Sequence, residues 1–250
     1  MDKHNSMLIY KAWLETRWRF FAGLVLLIAI SVYTVLKAQG IIQDREQFRH
    51  EHILYAQYIW ILLYKGFLQT LWILSAVMLG MGGVWREKAA GVAGFTLSLP
   101  VSRRRLVLIR AAVGAVEAIT LAVVPSILIW VASVLTGNPY SLHEAILHSV
   151  LMVGGGLIFY GLGLLLSHLM QGEFSVPTLG LGVCLVLYIA FQTLRLETYN
   201  PFDLMSGRHY LDPNTFLLRD GLPWLPLSLF FSITIAMILA SVKIAETRDF

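Results

Sequence analysis

The sequence predicts an all-α polytopic membrane protein, and three observations predict it. The 250 residues are 57% hydrophobic and only 14% charged, whereas a soluble domain is about one quarter charged. The apolar residues fall in blocks of roughly twenty, long enough at 1.5 Å per residue to cross a hydrocarbon core of about 30 Å. The strict alternation over strands of about ten residues that marks a membrane β-barrel is absent.

Six spans are expected, over residues 20–39, 58–84, 111–135, 145–170, 177–194 and 223–243. Ahead of the first lies MLIYKAWLETRWRF. Here Met7, Tyr10, Leu14 and Trp18 recur at spacings of three to four, with Lys11, Glu15 and Arg19 on another face. The pattern predicts an amphipathic helix over 4–19, lying in the interface before the chain turns into the bilayer; the alternative is a frayed start to the first span, anchored by its Trp and Arg residues. The block starting near Phe20 is too long for a signal-peptide core and no A-x-A site follows it. It is therefore expected to stay as the first span. A loop with charges of both signs, Gln43–His52, follows this span, and TGNPYSLHE joins the third and fourth. The stretch 195–222 carries prolines, aromatics and Asp/Asn turn residues. It predicts a compact re-entrant or interfacial cap.

Six spans put both termini on one side. Lys3, Lys11, Arg17, Arg19, Arg86, Lys88, Arg103, Arg104, Arg105, Arg110, Lys243 and Arg248 share that side. Lys37, Arg45, Arg49, Arg195, Arg208 and Arg219 lie on the other. The two-to-one bias predicts cytoplasmic termini and a cytoplasmic loop over 86–110. The net charge of +4 is thus read as membrane topology, and no nucleic-acid partner is expected.

Little points to catalysis. The lone Cys184 excludes an intramolecular disulfide and leaves no thiol cluster for a metal. His143 and His148 in HEAILH are five residues apart, whereas the zinc-binding H-E-x-x-H needs a spacing of four. No triad or paired carboxylates are discernible, so no catalytic, cofactor or metal residue is expected. The glycines of Gly80–Gly83 and of Gly154–Gly163 suit close helix packing or flexible points. Three ionisable residues fall in or beside spans. Lys65 is either a snorkelling anchor or a pore residue. Glu117, two turns into the third span, needs a partner, and Arg110 sits seven residues back on the same face. Such a pair either locks the loop to the third span or transmits the loop's movement to it. His168 and Glu173 are expected to anchor the inner end of the fourth span.

The densest cationic stretch is REKAAGVAGFTLSLPVSRRR, Arg86–Arg105. Ala89–Leu99 is too short to span and is flanked by basic residues. A short helix along the membrane face is expected, with Glu87 favouring its N-terminus and Pro100 ending it. Arg103–Arg105 then sit at the phosphate level, so membrane lipids are expected partners. Gly91, Ala93, Gly94 and Ser98 leave a shallow surface that another protein can approach.

Glu87–Arg103, EKAAGVAGFTLSLPVSR, resembles the signature between spans two and three of permease subunits of type-2 ABC exporters (ABC-2 type). The six-span layout and long last outer loop extend the resemblance over nearly the whole chain. It departs at Val92, where the family commonly has Thr. The resemblance implies six transmembrane helices with an N-terminal interfacial helix and a short cytoplasmic coupling helix. It implies a plasma-membrane permease paired as a homodimer or with a similar permease, and driven by two copies of an ABC ATPase subunit. Glu87, Gly91, Gly94, Leu97, Ser98, Leu99, Pro100, Ser102 and Arg103 are the implied ATPase-coupling residues. The sequence has no G-x-x-x-x-G-K-[ST], so ATP and Mg are expected on the partner subunit and this chain is expected not to be an enzyme. The alternatives are an ATP-independent secondary transporter, which would show midplane ionisable groups and broken helices, and an intramembrane enzyme, which would need convergent catalytic groups. No aromatic cage or charge ring selects a cargo.

Overall fold

The computed structural model of the protein describes residues 3–49, 52–81, 102–170, 175–194, 199–219 and 221–247. These form α1 (Lys3–Arg49), α2 (Tyr55–Gly80), α3 (Arg103–Leu135), α4 (Leu142–Leu169), α5 (Ser175–Leu194), the short α6 (Pro201–Ser206) and α7 (Trp224–Thr247). Among the described residues, five helices are long and apolar enough to cross a membrane: α1, α2, α3, α4 and α7. The expected fifth span, 177–194, falls on α5, whose apolar stretch Thr178–Leu194 is shorter than the others. The protein is a multi-pass, all-α membrane protein.

The largest departure from expectation is α1. No turn separates an interfacial helix over 4–19 from a span at 20, because 47 consecutive residues form one helix. Its contour is about 70 Å. Neither proline nor glycine occurs before Gly23 to interrupt it. More decisively, the buried stripe Leu8, Ala12, Thr16, Phe20, Leu27, Ser31, Val35 and Ala38 crosses the expected junction without a break. The large apolar residues Met7, Tyr10 and Trp18 point away from the protein instead. At its other end α1 passes the expected limit at Gln39 by ten residues. The Gln43–Arg49 part of the charged loop is helical, since Asp44–Phe48 contains no helix breaker.

The remaining boundaries shift by smaller amounts. α2 starts three residues before the expected 58 and ends at Gly80. α3 starts at Arg103, eight residues before the expected 111, because Ser102 caps it: its hydroxyl accepts from the Arg105 N–H at 3.4 Å. Ser141 caps α4 in the same way, accepting from the Glu144 N–H at 3.1 Å.

Within α2, Trp60–Phe67 is wound as a π-helix around Gly66, which sits at φ −107°, ψ −114°. A Cβ at Gly66 would lie 2.8 Å from the Ile61 carbonyl oxygen, so the deviation requires glycine.

α4 is the centre of the bundle. Of its most apolar stretch 67% is buried, against 33% for α1 and α7. It packs on α2, α3, α6 and α7, while α1 lies along α3. Where α2 meets α4 the backbones touch. A Cβ on Gly80 would be 2.5 Å from the Tyr160 carbonyl oxygen, and one on Gly163 would be 2.5 Å from that of Val77. Along the α2–α4 seam Trp72, Tyr64, Tyr160 and Phe159 are fully buried.

Residues 199–219 fold back onto the helix ends near Tyr55 and Leu142. Asn200 caps α6, accepting from the Phe202 N–H at 3.0 Å. Gly207 ends α6 at φ +71°, the left-handed conformation that favours glycine. Leu211 and Leu218 then pair as an isolated antiparallel bridge. Pro201–Gly207 is buried throughout.

Candidate functional site

Two of the implied coupling residues are among the described ones: Ser102, the N-cap of α3, and Arg103, its first residue. Glu87, Gly91, Gly94, Leu97, Ser98, Leu99 and Pro100 lie outside the described residues. What the structure does describe is how the two helix ends flanking that segment are held.

Both are tied to one turn of α1. Arg19 Nη1 donates to the carbonyl oxygens of Met78, at 2.9 Å, and of Met81. These belong to the last turn and C-cap of α2, where carbonyls have no partner within the helix. The guanidinium also places positive charge at the negative end of the helix dipole. Glu15 pairs with Arg110 on α3 and, at 3.8 Å, with Lys11 on its own helix. Thr16 Oγ1 donates to Glu117 Oε1, linking α1 to α3 two turns further on.

The expected pair between Arg110 and Glu117 is therefore not formed. The two residues are separated by about 10 Å of helix rise. α1 runs alongside α3 and brings Glu15 to one of them and Thr16 to the other. Glu117 is buried, and among the described residues its Oε2 has no hydrogen-bond partner, while Thr16 supplies the hydrogen bond to its Oε1. Sequence reasoning missed Glu15, Thr16 and Arg19 as site residues because it placed them on a helix of their own in the interface. The available signal was the i, i+4 spacing of Leu8, Ala12, Thr16 and Phe20, which puts a small polar residue on the packing face.

Two further hydrogen bonds complete the level. Trp72 Nε1 on α2 donates to the Ala118 carbonyl at 3.1 Å. The buried Tyr160 hydroxyl on α4 donates to the Ala111 carbonyl at 3.1 Å. Tyr160 lies against Gly114, where a Cβ would come within 2.4 Å of its oxygen.

Lys65 stands at the opposite end of the bundle. Its side chain is exposed, with Nζ 5.2 Å from the Trp60 ring centroid, a cation–π contact in the π-wound segment. The segment also carries the cap: Trp60 Nε1 donates to the Ser206 carbonyl at 2.8 Å, and Gln69 donates to that of Phe202. Tyr64 stacks on His148 with centroids 3.9 Å apart. Glu144 accepts from the Leu218 N–H at 3.1 Å. Burial, reinforced by the neighbouring Tyr64, raises the Tyr140 phenol well above its usual range, so it contributes no negative charge there.

A concavity of about 500 Å³ lies between α3, α4 and α7, lined by apolar residues such as Val123, Val150 and Phe231. Its two hydroxyls, on Ser149 and Ser228, donate to carbonyls of their own helices. Among the described residues no group of three or more His, Cys, Asp or Glu side chains could hold a metal.

Compared with known families, residues 45–246 match the model of the ABC-2 family transporter protein. No curated protein and no solved structure matches the chain.

Proposed function

The chain belongs to the ABC-2 family of transporter proteins, a membrane transport component that associates with an ABC ATPase, and from that premise we propose that it is the permease subunit of an exporter driven through the loop between α2 and α3. In this reading two permease chains, alike or similar, stand side by side in the plasma membrane with two ATPase subunits beneath them. Six spans are counted, α5 being the fifth in order, and both termini are cytoplasmic. ATP and Mg bind to the ATPases. Their closure pushes on residues 87–103, and the push passes into α2 and α3.

The observation that carries the reading is the joint anchorage of α2 and α3. Arg19 holds the last carbonyls of α2, and Glu15 and Thr16 hold α3 about two and four turns after its start. A force applied between those ends is shared by three helices at once. This supports a transmitting element in place of a passive connection. Lys65 over Trp60 and Glu117 bound by Thr16 favour structural roles for both, which is weaker support for a secondary transporter than for a driven permease.

Gly91→Trp and Gly94→Trp test the assignment. In membranes co-expressing the ATPase, each variant is expected to reach normal levels, lose co-purification of the ATPase and abolish transport-linked ATP hydrolysis. Unchanged co-purification and hydrolysis in both variants would rule out this loop as the contact.

A further inference from the structure

We propose that the cleft between the start of α1 and the start of α3 is a binding site for one anionic phospholipid. It is an open groove of about 530 Å³. Ser102, Arg104 and Arg105 form its polar end, and Ile9, Leu108 and Ala112 line the rest. Arg104 and Arg105 are exposed at the helix start, and Leu108 and Ile9 are 38% and 41% exposed. Along α3, Arg104 and Ala112 are separated by about 12 Å.

That order matches the build of a phospholipid. Two guanidiniums and a hydroxyl meet a phosphate and its neighbouring oxygens, and guanidinium forks suit phosphate geometry. One to two turns deeper, the wall becomes aliphatic and suits an acyl chain. A free phosphate would leave the apolar part of the groove in contact with water, and a zwitterionic lipid would bring a cation towards the arginines. The occupant is therefore a lipid with net negative charge, drawn from the leaflet at the Arg103 end. With the orientation proposed above this is the inner leaflet. The groove runs past the Arg110–Glu15 pair on α3, so an occupied groove stiffens the start of α3 against α1.

Native mass spectrometry of the purified full-length chain, titrated with phosphatidylglycerol or phosphatidylcholine, tests this without the ATPase and without regard to orientation. It can therefore fail while the transport reading stands, and the reverse. One phosphatidylglycerol per chain is expected to be retained and phosphatidylcholine lost. Arg104→Gln with Arg105→Gln is expected to weaken retention roughly thirtyfold, from the usual contribution of two arginines at an anionic surface. Ala112→Phe, which keeps every charge and fills the groove, is expected to reduce retention too. Arg208→Gln with Arg219→Gln removes the same charge from the opposite end and is expected to change nothing. Equal retention of both lipids, an unaffected arginine or Ala112 variant, an equal loss in the opposite-end control, or displacement by millimolar inorganic phosphate would each overturn the proposal. A monodisperse elution profile qualifies each variant, and Arg104→Lys with Arg105→Lys, which keeps the charge, is expected to restore most binding.

Discussion

Arg19, Glu15 and Thr16 occupy little more than one turn of helix, yet they make side-chain contacts to two other helices. The contacts differ in kind. Arg19 satisfies backbone carbonyls that would otherwise end α2 unpaired. Arg19→Gln is expected to lower stability by about 1.5–3 kcal/mol, the usual range for a hydrogen bond involving a charged group, read as a fall in the denaturation midpoint in detergent. Thr16 is more diagnostic. Thr16→Val keeps the shape and strips Glu117 of its donor, at an expected cost of about 1–3 kcal/mol for a buried polar group left unmade. Thr16→Val combined with Glu117→Leu replaces both partners by apolar groups, and is expected to be more stable than Thr16→Val alone. If the double variant is the less stable of the two, Glu117 has another partner that matters more. The need of Glu117 for a partner was legible in the sequence, because a carboxyl group two turns into a span must be paired. The identity of that partner was not, since Thr16 is 101 residues away and only the packing of α1 along α3 brings it near.

The helices themselves follow from composition more directly than their ends do. The apolar blocks overlap α2, α3, α4 and α7. Hydropathy failed where the helix outlasts the apolar block. α1 continues through Asp44–Phe48 because nothing there breaks it, and its first turns belong to the same rod because their small residues pack. The π-wound turn of α2 was invisible for a different reason. It depends on tertiary contacts, with Trp60 and Gln69 reaching the cap and Tyr64 stacked on His148. The glycines on α2 and α4 were legible as packing residues, and the structure pairs Gly80 with Gly163. Gly163→Leu is expected to force the two backbones apart and cost about 1–3 kcal/mol or more, as overpacking does. Thermal unfolding in detergent would show it. A variant with an unchanged midpoint would mean that α2 and α4 do not pack so closely.

Across the whole molecule, charge and hydropathy together carried the membrane assignment, and the short motif around Gly91–Pro100 carried the family. The match over residues 45–246 agrees with that family and begins beyond most of α1. Sidedness rests on the twelve basic residues assigned to one face. With the single cysteine changed by Cys184→Ala, a membrane-impermeant maleimide on intact cells is expected to label Gln43→Cys and Thr215→Cys. It is expected to spare Thr247→Cys until the membrane is opened. All three side chains are exposed, so the reverse pattern would invert the molecule and place residues 86–110 outside. The cargo was not legible in the sequence, and the cavity between α3, α4 and α7 is lined mainly by apolar side chains, Phe231 among them, that select none.

A rod of 47 residues is longer than a bilayer is thick, headgroups included, so some of α1 overhangs the membrane. Its ties to α2 and α3 are spread along it: Glu15, Thr16 and Arg19 near one end, and further on the Thr34 carbonyl, which accepts from Tyr58, and Gln39, which donates to the Thr136 carbonyl. Beyond Gln39 about 15 Å of helix runs on to Arg49. Such a strut is a rail bolted at two places: it does not pivot about the Arg19 turn alone, and a push at that turn moves its tied length together.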